Sequence, residues 1–362
     1  MNVLFLSNLS GNLWAGPNNS VPAQVLAQAK IDNVMWVNLN HNCLPQWKQD
    51  DYKFLNYDDI DKCTLSDLPS PFNKPDFIVC EEIYCYHPFN KMILSVMKSG
   101  IPYSIVPRSS LTLKAQQRSP LKKKIANLFF YNKFVNNSFA IQYLTRFEKE
   151  ESEKCFNHNS FVIPNGTYLP DYEHKEISNN VIRGTYIGRL EINQKGLDQL
   201  VEAVYSIKDE LRAAKFTIEL YGPNRDNTVE ILSKLIKGKK IDDIIFIRDG
   251  VFGDEKRKIL DDSDVFIMTS RFEGMPMGMI EALGHGVPCV ATEGTFLMDE
   301  IKLYNAGWEA GSTVESIRIA LLNVIRDKKD FREKSTNARD LASHYSWDYL
   351  AKQFHKILED SL

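Results

Sequence analysis

The sequence predicts an α/β protein that contains two doubly wound parallel sheets. Short runs rich in Val, Ile, Phe and Tyr alternate with amphipathic stretches along most of the 362 residues. Strands that alternate with helical patterns are typical of parallel sheets covered by helices on both faces. The runs form two series separated by a segment rich in Pro, Gly and Asn, and the length also favours two domains at about 150 residues each.

The two series and the segment between them predict the domain boundaries. The predicted strands of the first series are residues 3–6, 34–38, 77–79, 103–106, 140–143 and 161–163. Those of the second are residues 185–187, 217–221, 244–247, 265–268 and 289–291. We therefore expect a first domain over 1–165, a linker over 166–180 and a second domain over 181–342. Residues 343–362 are predicted to form a final helix, with Ser346 as its N-cap.

Composition indicates an ordinary globular protein. Lys and Arg number 44 against 47 Asp and Glu, and 43% of residues are hydrophobic, which excludes a disordered or fibrous chain. Six cysteines without a C-x-x-C pair indicate reduced thiols and a cytoplasmic location. The sequence contains no basic, apolar leader pattern and no run of about 18 apolar residues.

A basic window interrupts the nearly neutral total charge. Residues 83–147 contain ten Lys and Arg and no Asp or Glu, so the remainder sums to −13. Lys122, Lys123 and Lys124 follow Ser119-Pro120 in the first turn of a predicted helix, where the helix dipole disfavours cations. With Lys114 and Arg118 nearby, the segment is typical of a patch that contacts an anionic membrane. Two alternatives stay open: a solvated basic face without a partner, and nucleic-acid binding, although no RNA or DNA module is evident.

The segment 270–288 (SRFEGMPMGMIEALGHGVP) carries the most informative chemistry. It follows a predicted strand, turns at Gly274 and Pro276, and becomes helical near Gly278. Backbone N–H groups at such a helix start favour an anion such as phosphate. Glu273 and Glu281 flank this turn; since carboxylates repel anions, they fit as acceptors for sugar and ribose hydroxyls.

This pattern resembles the E-x7-E signature of the family-4 retaining glycosyltransferases of GT-B fold. Four further elements are similar to those of the family and occur in its order: I-P-N-G at 163–166, G-R-L with K-G at 188–196, Y-G-P at 221–223 and S-W at 346–347. The resemblance implies two Rossmann-like domains that face a central cleft, with the C-terminal helix packed on the first domain. It also implies transfer of a hexose or N-acetylhexosamine from a nucleotide sugar, UDP-linked, with retained configuration and without a metal cofactor.

The resemblance assigns roles to individual residues. Arg189 and Lys195 are expected to stabilise the charge on the departing diphosphate. The flanking Gly188 and Gly196 leave room for the backbone to approach a ligand. Glu273 is expected to bind the donor-sugar hydroxyls and Glu281 the ribose. The further expected donor contacts are Gly16, Gly188, Gly222, Gly274, Met275, Pro276, Met277 and Gly278.

On the acceptor side, the first domain departs from many relatives, which carry His-Gly after the fourth strand. Arg108 and Ser109 occupy this place, as in the cell-surface polysaccharide branch, and with Glu82 they are the candidate acceptor contacts. The resemblance implies a polyprenyl-diphosphate-linked saccharide as acceptor, in capsule or lipopolysaccharide assembly at the cytoplasmic face of the membrane.

Three alternatives compete with this interpretation. Two D-x-D sequences, at Asp262–Asp264 and Asp59–Asp61, could bind a divalent ion on a donor diphosphate, but the first lies at the amino end of a predicted strand, away from the ligand edge. The same cleft could serve a UDP-sugar epimerase or hydrolase. A non-catalytic glycan- or nucleotide-binding protein could share the fold.

Overall fold

The computed structural model describes residues 1–12, 15–88, 90–171, 181–224 and 227–361. Contacts divide the chain into two compact units: unit 1 comprises Met1–Gly166 and Trp347–Leu362, and unit 2 comprises Thr167–Ser346. Residues 172–180 of the expected linker lie outside the described part.

Unit 1 contains a seven-stranded parallel sheet in the order β3-β2-β1-β4-β5-β6-β7. The strands are β1 (Asn2–Ser7), β2 (Asn33–Asn38), β3 (Lys53–Asn56), β4 (Phe77–Glu81), β5 (Tyr103–Val106), β6 (Ala140–Tyr143) and β7 (Ser160–Val162). The helices before unit 2 are α1 (Pro17–Ala29), α2 (Lys91–Ser99), α3 (Leu113–Gln116), α4 (Pro120–Ala126), α5 (Asn132–Asn136) and α6 (Arg146–Glu153). A π-helical turn, Asn127–Tyr131, joins α4 to α5.

The central strand β1 shows why this sheet is covered on both faces. Leu4 and Leu6 belong to one buried cluster, whereas Val3 and Phe5 belong to another. Successive side chains of a strand point to opposite faces, so the two clusters are the cores on either side of the sheet. A continuous apolar run is the pattern that a strand buried on both faces requires.

Unit 2 contains a six-stranded parallel sheet in the order β10-β9-β8-β11-β12-β13. The strands are β8 (Ile182–Ile187), β9 (Phe216–Tyr221), β10 (Ile245–Arg248), β11 (Val265–Met268), β12 (Cys289–Thr292) and β13 (Gly307–Ala310). The helices are α7 (Ile192–Lys195), α8 (Leu197–Ser206), α9 (Lys208–Ala213), α10 (Thr228–Gly238), α11 (Gly253–Asp262), α12 (Met277–Gly284), α13 (Met298–Leu303), α14 (Val314–Arg326) and α15 (Phe331–Ser343).

The final helix, α16 (Trp347–Ser361), returns to unit 1 and packs on α1. Leu350, Phe354 and Leu358 enter the same core cluster as Val3 and Phe5. Gly166 is required beside the start of this helix, since a Cβ there would lie 2.6 Å from the Trp347 ring. The C-terminal helix is therefore an integral part of the first unit.

The predicted class, two parallel α/β sheets, is confirmed, and two strands were missed. Both are edge strands: β3 (KFLN) next to β2, and β13 (GWEA) next to β12. Their half-buried, mixed sequences lack the continuous apolar run that identifies the buried strands. Among the described helices, none combines the length and apolarity needed to cross a bilayer.

Each sheet has one point at which the strand order reverses. In unit 1 it lies between β1 and β4, and in unit 2 between β8 and β11. In open parallel sheets, ligands bind outside the carboxyl ends of the strands at this point. The loops that follow these four strands are therefore the places to look for functional side chains.

We call the region outside the carboxyl ends of β8 and β11 the unit 2 crevice. Near it, the backbone after β9 lies close to the backbone after β8, which leads to a prediction about Gly222, the residue that follows β9. A Cβ at Gly222 would lie 2.0 Å from the Gly188 carbonyl oxygen, a backbone atom that cannot move aside. We expect Gly222→Ala to lower the free energy of unfolding by about 1–3 kcal/mol, measured by urea denaturation. Gly238→Ala is the matched control, since a Cβ there meets nothing within 4 Å and a helical Ala is favoured over Gly. Equal stability of the two variants would contradict this account.

Candidate functional site

The two loops at the unit 2 crevice are joined by a buried ion pair. Lys195 Nζ lies 2.5 Å from Glu273 Oε1, and the two side chains are 10% and 6% exposed. Lys195 is the last residue of α7, in the connection after β8, whereas Glu273 lies in the loop between β11 and α12. Ser270 Oγ donates to the same carboxylate oxygen at 2.5 Å. The carboxylate is thus held by one charged and one neutral donor.

Gly196 explains how Lys195 comes so close to β11. This residue has φ 63°, the left-handed conformation that glycine adopts without strain. A Cβ would lie 2.0 Å from the Thr269 carbonyl oxygen. Thr269 Oγ1 also donates to the carbonyl oxygens of Lys195 and Gly196, at 3.2 and 3.1 Å. Only a glycine allows the end of α7 to lie against the end of β11.

Arg271 forms a second connection between the loops. Its guanidinium makes a bidentate ion pair with Asp198 on α8, at 2.8 and 2.7 Å, and donates to the Asn193 carbonyl at 2.7 Å. Its backbone N–H donates to the Gln194 carbonyl at 2.9 Å. The bidentate geometry is directional, so the Glu273 loop is held in a single orientation relative to α7.

Arg189 is an exposed cation that follows β8. Its guanidinium makes one long contact, 3.5 Å to Gln194 Oε1, next to Lys195 in the chain. The backbone beneath it is held by Tyr186, whose hydroxyl donates to the Arg189 carbonyl at 2.8 Å. Burial, reinforced by nearby Glu273, raises the pKa of the Tyr186 phenol, so the phenol stays a neutral donor. Arg189 thus presents a charge that is available to an anionic ligand.

The start of α12 faces the same crevice. Pro276 occupies the N-cap position and has no side-chain oxygen to accept from the first N–H groups. A Cβ at Gly278 would lie 2.7 Å from the Ile187 carbonyl, so glycine brings the helix start against the end of β8. Gly274 is exposed, and Met275 and Met277 are half-buried. The positive end of the helix dipole therefore lies beside β8.

Glu281 lies one turn into α12 and forms a pair of its own. Its partner is Lys256 on α11, and the two side chains are 30% and 23% exposed. Both glutamates of the E-x7-E pattern are thus matched with a lysine from a different element. Gly188, another expected donor contact, is half-buried, and a Cβ on it would lie 2.7 Å from the Tyr186 hydroxyl oxygen. Gly222 lies next to Gly188, since a Cβ on Gly222 would lie 2.0 Å from the Gly188 carbonyl oxygen.

Several residues of this site escaped the sequence analysis. Ser270 and Arg271 lie within the informative segment, three and two positions before Glu273, so their proximity is the only signal for them. Asp198 and Lys256 lie on helices among other polar residues. No spacing rule links Lys256 to Glu281, because the contact is tertiary.

No group of three His, Cys, Asp or Glu suited to a metal ion occurs within the described residues. In the D-x-D sequence, Asp264 Oδ2 accepts from the Arg183 backbone N–H at 2.7 Å, and burial raises its pKa. This carboxylate joins the start of β11 to the start of β8.

In unit 1, Arg108 is a structural cation. Its guanidinium, 7% exposed, pairs with buried Glu81 at 2.8 Å. It also donates to Ser20 Oγ at 3.0 Å and Asn165 Oδ1 at 3.3 Å. The side chain of this candidate acceptor contact is directed at Glu81 in β4, Ser20 in α1 and Asn165, near the end of the first segment of unit 1. A contact between Arg108 and a ligand stays a prediction.

The other candidates of unit 1 lie near the ends of β1, β4 and β5. Gly16 is the N-cap residue of α1 and accepts from the Ser20 N–H at 3.0 Å. Glu82 and Ser109 have φ values of 67° and 65°, a left-handed conformation that is costly for non-glycine residues and often found at functional sites. Burial raises the pKa of Glu82, and the Ser109 N–H donates to buried Glu148.

Within the basic patch (Lys114, Arg118, Lys122, Lys123 and Lys124), Lys123 makes contacts inside the protein. Lys123 Nζ donates to the Ala115 carbonyl at 2.7 Å and lies 4.6 Å from the centre of the Tyr84 ring. Burial lowers its pKa. The other four are exposed. Beside them are four exposed apolar side chains: Leu121 (76%), Ile125 (58%), Leu128 (73%) and Phe129 (79%).

The Lys195–Glu273 pair makes a prediction about stability. Lys195→Met leaves a buried carboxylate without its counter-charge, and we expect a loss of about 3–5 kcal/mol in the free energy of unfolding. Adding Glu273→Gln to that variant is expected to recover part of the loss, which a double-mutant cycle in urea measures. Lys302→Met is the control, because Lys302 and its partner Glu309 are 65% and 46% exposed and such pairs contribute about 0–1 kcal/mol. Similar losses for both lysines would show that the buried pair has no special role.

Residues 182–327, most of unit 2, match the family described as glycosyl transferases group 1. The uncharacterized glycosyltransferase MJ1607 of Methanocaldococcus jannaschii is 30% identical over 171 residues, 46% of this chain and 42% of that protein. TuaC of Bacillus subtilis, named for teichuronic acid biosynthesis, is 26% identical over 174 residues, 45% of this chain and 41% of its own. The matched region thus spans less than half the length of these relatives.

Solved structures resemble the whole chain at low identity. Sucrose-phosphate synthase from Thermosynechococcus elongatus has a TM-score of 0.73 at 13% identity and covers 99% of both chains. Anabaena Alr3699/HepE, in complex with UDP and glucose, has a TM-score of 0.66 at 15% identity, with 99% and 100% coverage. The predicted GT-B fold class is therefore confirmed, and in sequence the chain is similar to group 1 glycosyltransferases over residues 182–327.

Proposed function

We propose that this protein is a retaining glycosyltransferase that moves a hexose or N-acetylhexosamine from a UDP-sugar to a saccharide acceptor without a divalent metal. One observation carries the proposal: the buried Lys195–Glu273 pair joins the two loops at the unit 2 crevice, near exposed Arg189 and the start of α12, which has no side-chain cap. Such a site can bind a diphosphate and sugar hydroxyls together. The group 1 match over this unit and the UDP and glucose of the HepE complex support that choice of donor.

The geometry fits stabilisation of a leaving diphosphate. When the bond between the anomeric carbon and the phosphate oxygen breaks, the electron pair stays on that oxygen as negative charge. Lys195, Arg189 and the α12 N-terminus provide positive charge there, a role that a metal ion fulfils in other enzymes. The acceptor oxygen bonds to the same face of the carbon, and its proton passes to the phosphate oxygen. This step retains configuration and needs no protein base.

Glu273 is assigned to the donor sugar in this proposal. Its Oε1 accepts from Lys195 and Ser270, so the carboxylate has a fixed position and further lone pairs for hydroxyl donors. Its negative charge beside a diphosphate is tolerable because Lys195 compensates it. Glu281, one turn along α12, is assigned to the ribose. In unit 1, Glu82, Arg108 and Ser109 stay the candidate acceptor contacts.

We further propose that the acceptor is a polyprenyl-diphosphate-linked saccharide of a surface polysaccharide, reached from the cytoplasmic face of the membrane. The name of TuaC supports polysaccharide assembly as the setting. The contact would be made by the exposed basic patch together with Leu121, Ile125, Leu128 and Phe129. The π-helical turn buries Phe130 and Tyr131, whereas Leu128 and Phe129 point outward. Such exposed apolar groups next to cations fit an anionic lipid surface.

The charge on Arg189 makes the sharpest prediction for the reaction. Arg189→Gln removes a cation from the leaving group, so kcat is expected to fall on the order of 10²–10³-fold. Stability should be unchanged, because the side chain is exposed and makes only one long contact. Transfer is measured as acceptor-dependent UDP release across a panel of UDP-sugars, in excess EDTA.

Arg183→Gln is the matched control, since Arg183 is an exposed arginine at the opposite end of β8. Unchanged turnover of the Arg189 variant would remove the assigned role. A strict requirement for Mn²⁺ would contradict metal independence. Epimer or free sugar formed at a high rate from the donor alone would favour an epimerase or hydrolase.

The membrane proposal predicts separate effects of charge and apolar surface. Lys122→Glu/Lys124→Glu should weaken binding to phosphatidylglycerol vesicles on the order of 10²-fold, since each basic residue contributes about 1 kcal/mol near an anionic surface. Leu128→Ser/Phe129→Ser should also weaken it, and this loss should persist at high salt, because apolar burial is not screened. Cosedimentation measures both.

Lys234→Glu/Lys237→Glu, on the exposed face of α10 in unit 2, is the control for the same change in charge. It should bind nearly as wild type. Vesicle binding that is insensitive to both patch variants would rule out this surface as the membrane contact.

A further inference from the structure

Lys256 occupies an unusual position on α11. The helix sequence GDEKRKILDD is highly charged, and Asp254, Glu255, Arg257 and Lys258 are exposed. Lys256 is instead half-buried, one helical turn before the buried Leu260. Residues four apart share a face, so this lysine lies on the inward side of α11. Its ammonium is directed at α12, where it meets Glu281.

The Lys256–Glu281 pair is only partly buried. Glu281 Oε2, which faces the ammonium, is shielded from solvent. The Glu281 side chain as a whole keeps 30% exposure, and that of Lys256 keeps 23%. A ligand at the crevice can therefore meet an acceptor and a donor side by side. This distinguishes the pair from Lys195–Glu273, whose side chains are almost wholly buried.

A vicinal diol is the ligand group that matches this arrangement. Each hydroxyl both donates and accepts a hydrogen bond, whereas a carboxylate only accepts and an ammonium only donates. Glu281 can accept hydrogen bonds from the hydroxyl groups, but only a donor such as Lys256 can form a hydrogen bond to a hydroxyl oxygen. The ammonium also offsets the negative charge of Glu281, which would otherwise repel a diphosphate bound at the start of the same helix.

We infer that Lys256 is a second ribose-binding residue, which acts with Glu281 on the 2′- and 3′-hydroxyls and selects ribonucleotide over 2′-deoxyribonucleotide donors. This inference rests on the proposed function, since it requires a nucleotide at the unit 2 crevice. It differs from a purely structural pair joining α11 to α12, which would hold the helices without any effect on the choice of sugar.

The test compares dissociation constants for UDP and 2′-deoxy-UDP by isothermal titration calorimetry on the full chain. Wild type should prefer UDP by about ten- to a hundredfold, the usual effect of a hydrogen bond to a charged group. Lys256→Met should reduce this preference to within about threefold, mainly because the variant binds UDP more weakly. Lys256→Arg, which keeps the charge and donors, should retain part of the preference.

Lys302→Met is the matched control, since Lys302 pairs with Glu309 at an exposed place, 2.9 Å apart. It should leave the preference unchanged, and urea unfolding shows whether each variant is folded. If Lys256→Met weakens UDP and 2′-deoxy-UDP equally while Glu281→Gln abolishes the preference, the role of Lys256 is wrong and the proposed function stands. If wild type binds neither nucleotide, the proposed donor site falls, and this inference with it.

Discussion

The buried ion pair between Lys195 and Glu273 is the constraint on which the unit 2 crevice depends. Removing two charges from water is costly, and a single buried charge without its partner is worse. The loop after β8 and the loop after β11 must therefore stay together for either charge to be tolerated. Arg271 with Asp198, and the close approach of Gly196 to Thr269, limit how they can do so. These contacts together fix the two loops at the point where the strand order reverses.

The same electrostatic logic extends along α12. Glutamates beside an anion site are unfavourable unless a cation offsets them, and each of the two has one: Glu273 has Lys195 from α7, and Glu281 has Lys256 from α11. What distinguishes the two pairs is exposure. The first is almost wholly buried and holds the two loops together, whereas the second keeps more exposure to solvent. Arg189 is exposed and makes a long contact, 3.5 Å, to Gln194, so in the proposed function it is the cation assigned to the incoming diphosphate.

Unit 1 uses its charges differently. The guanidinium of Arg108 pairs with Glu81 and donates hydrogen bonds to Ser20 and Asn165. It therefore joins β4, α1 and the segment that leads out of the unit. The left-handed backbone at Glu82, Arg108 and Ser109 concentrates strain at the ends of β4 and β5. Away from this edge, the π-helical turn separates buried Phe130 and Tyr131 from exposed Leu128 and Phe129. Apolar residues at helical spacing therefore divide between the core and a surface.

Local patterns determined the class of this protein. Apolar runs in strands such as β1 and β11 reflect burial on both faces of a parallel sheet, so they are visible in the sequence, whereas the edge strands β3 and β13 are half-covered and were not. The family resemblance likewise selected Glu273, Glu281, Arg189 and Lys195 as candidate site residues. Only the tertiary structure decided their partners: that Lys195 meets Glu273, that Lys256 meets Glu281, and that Arg108 turns inward. Burial and charge pairing depend on residues brought together from distant parts of the chain, and no local spacing encodes them.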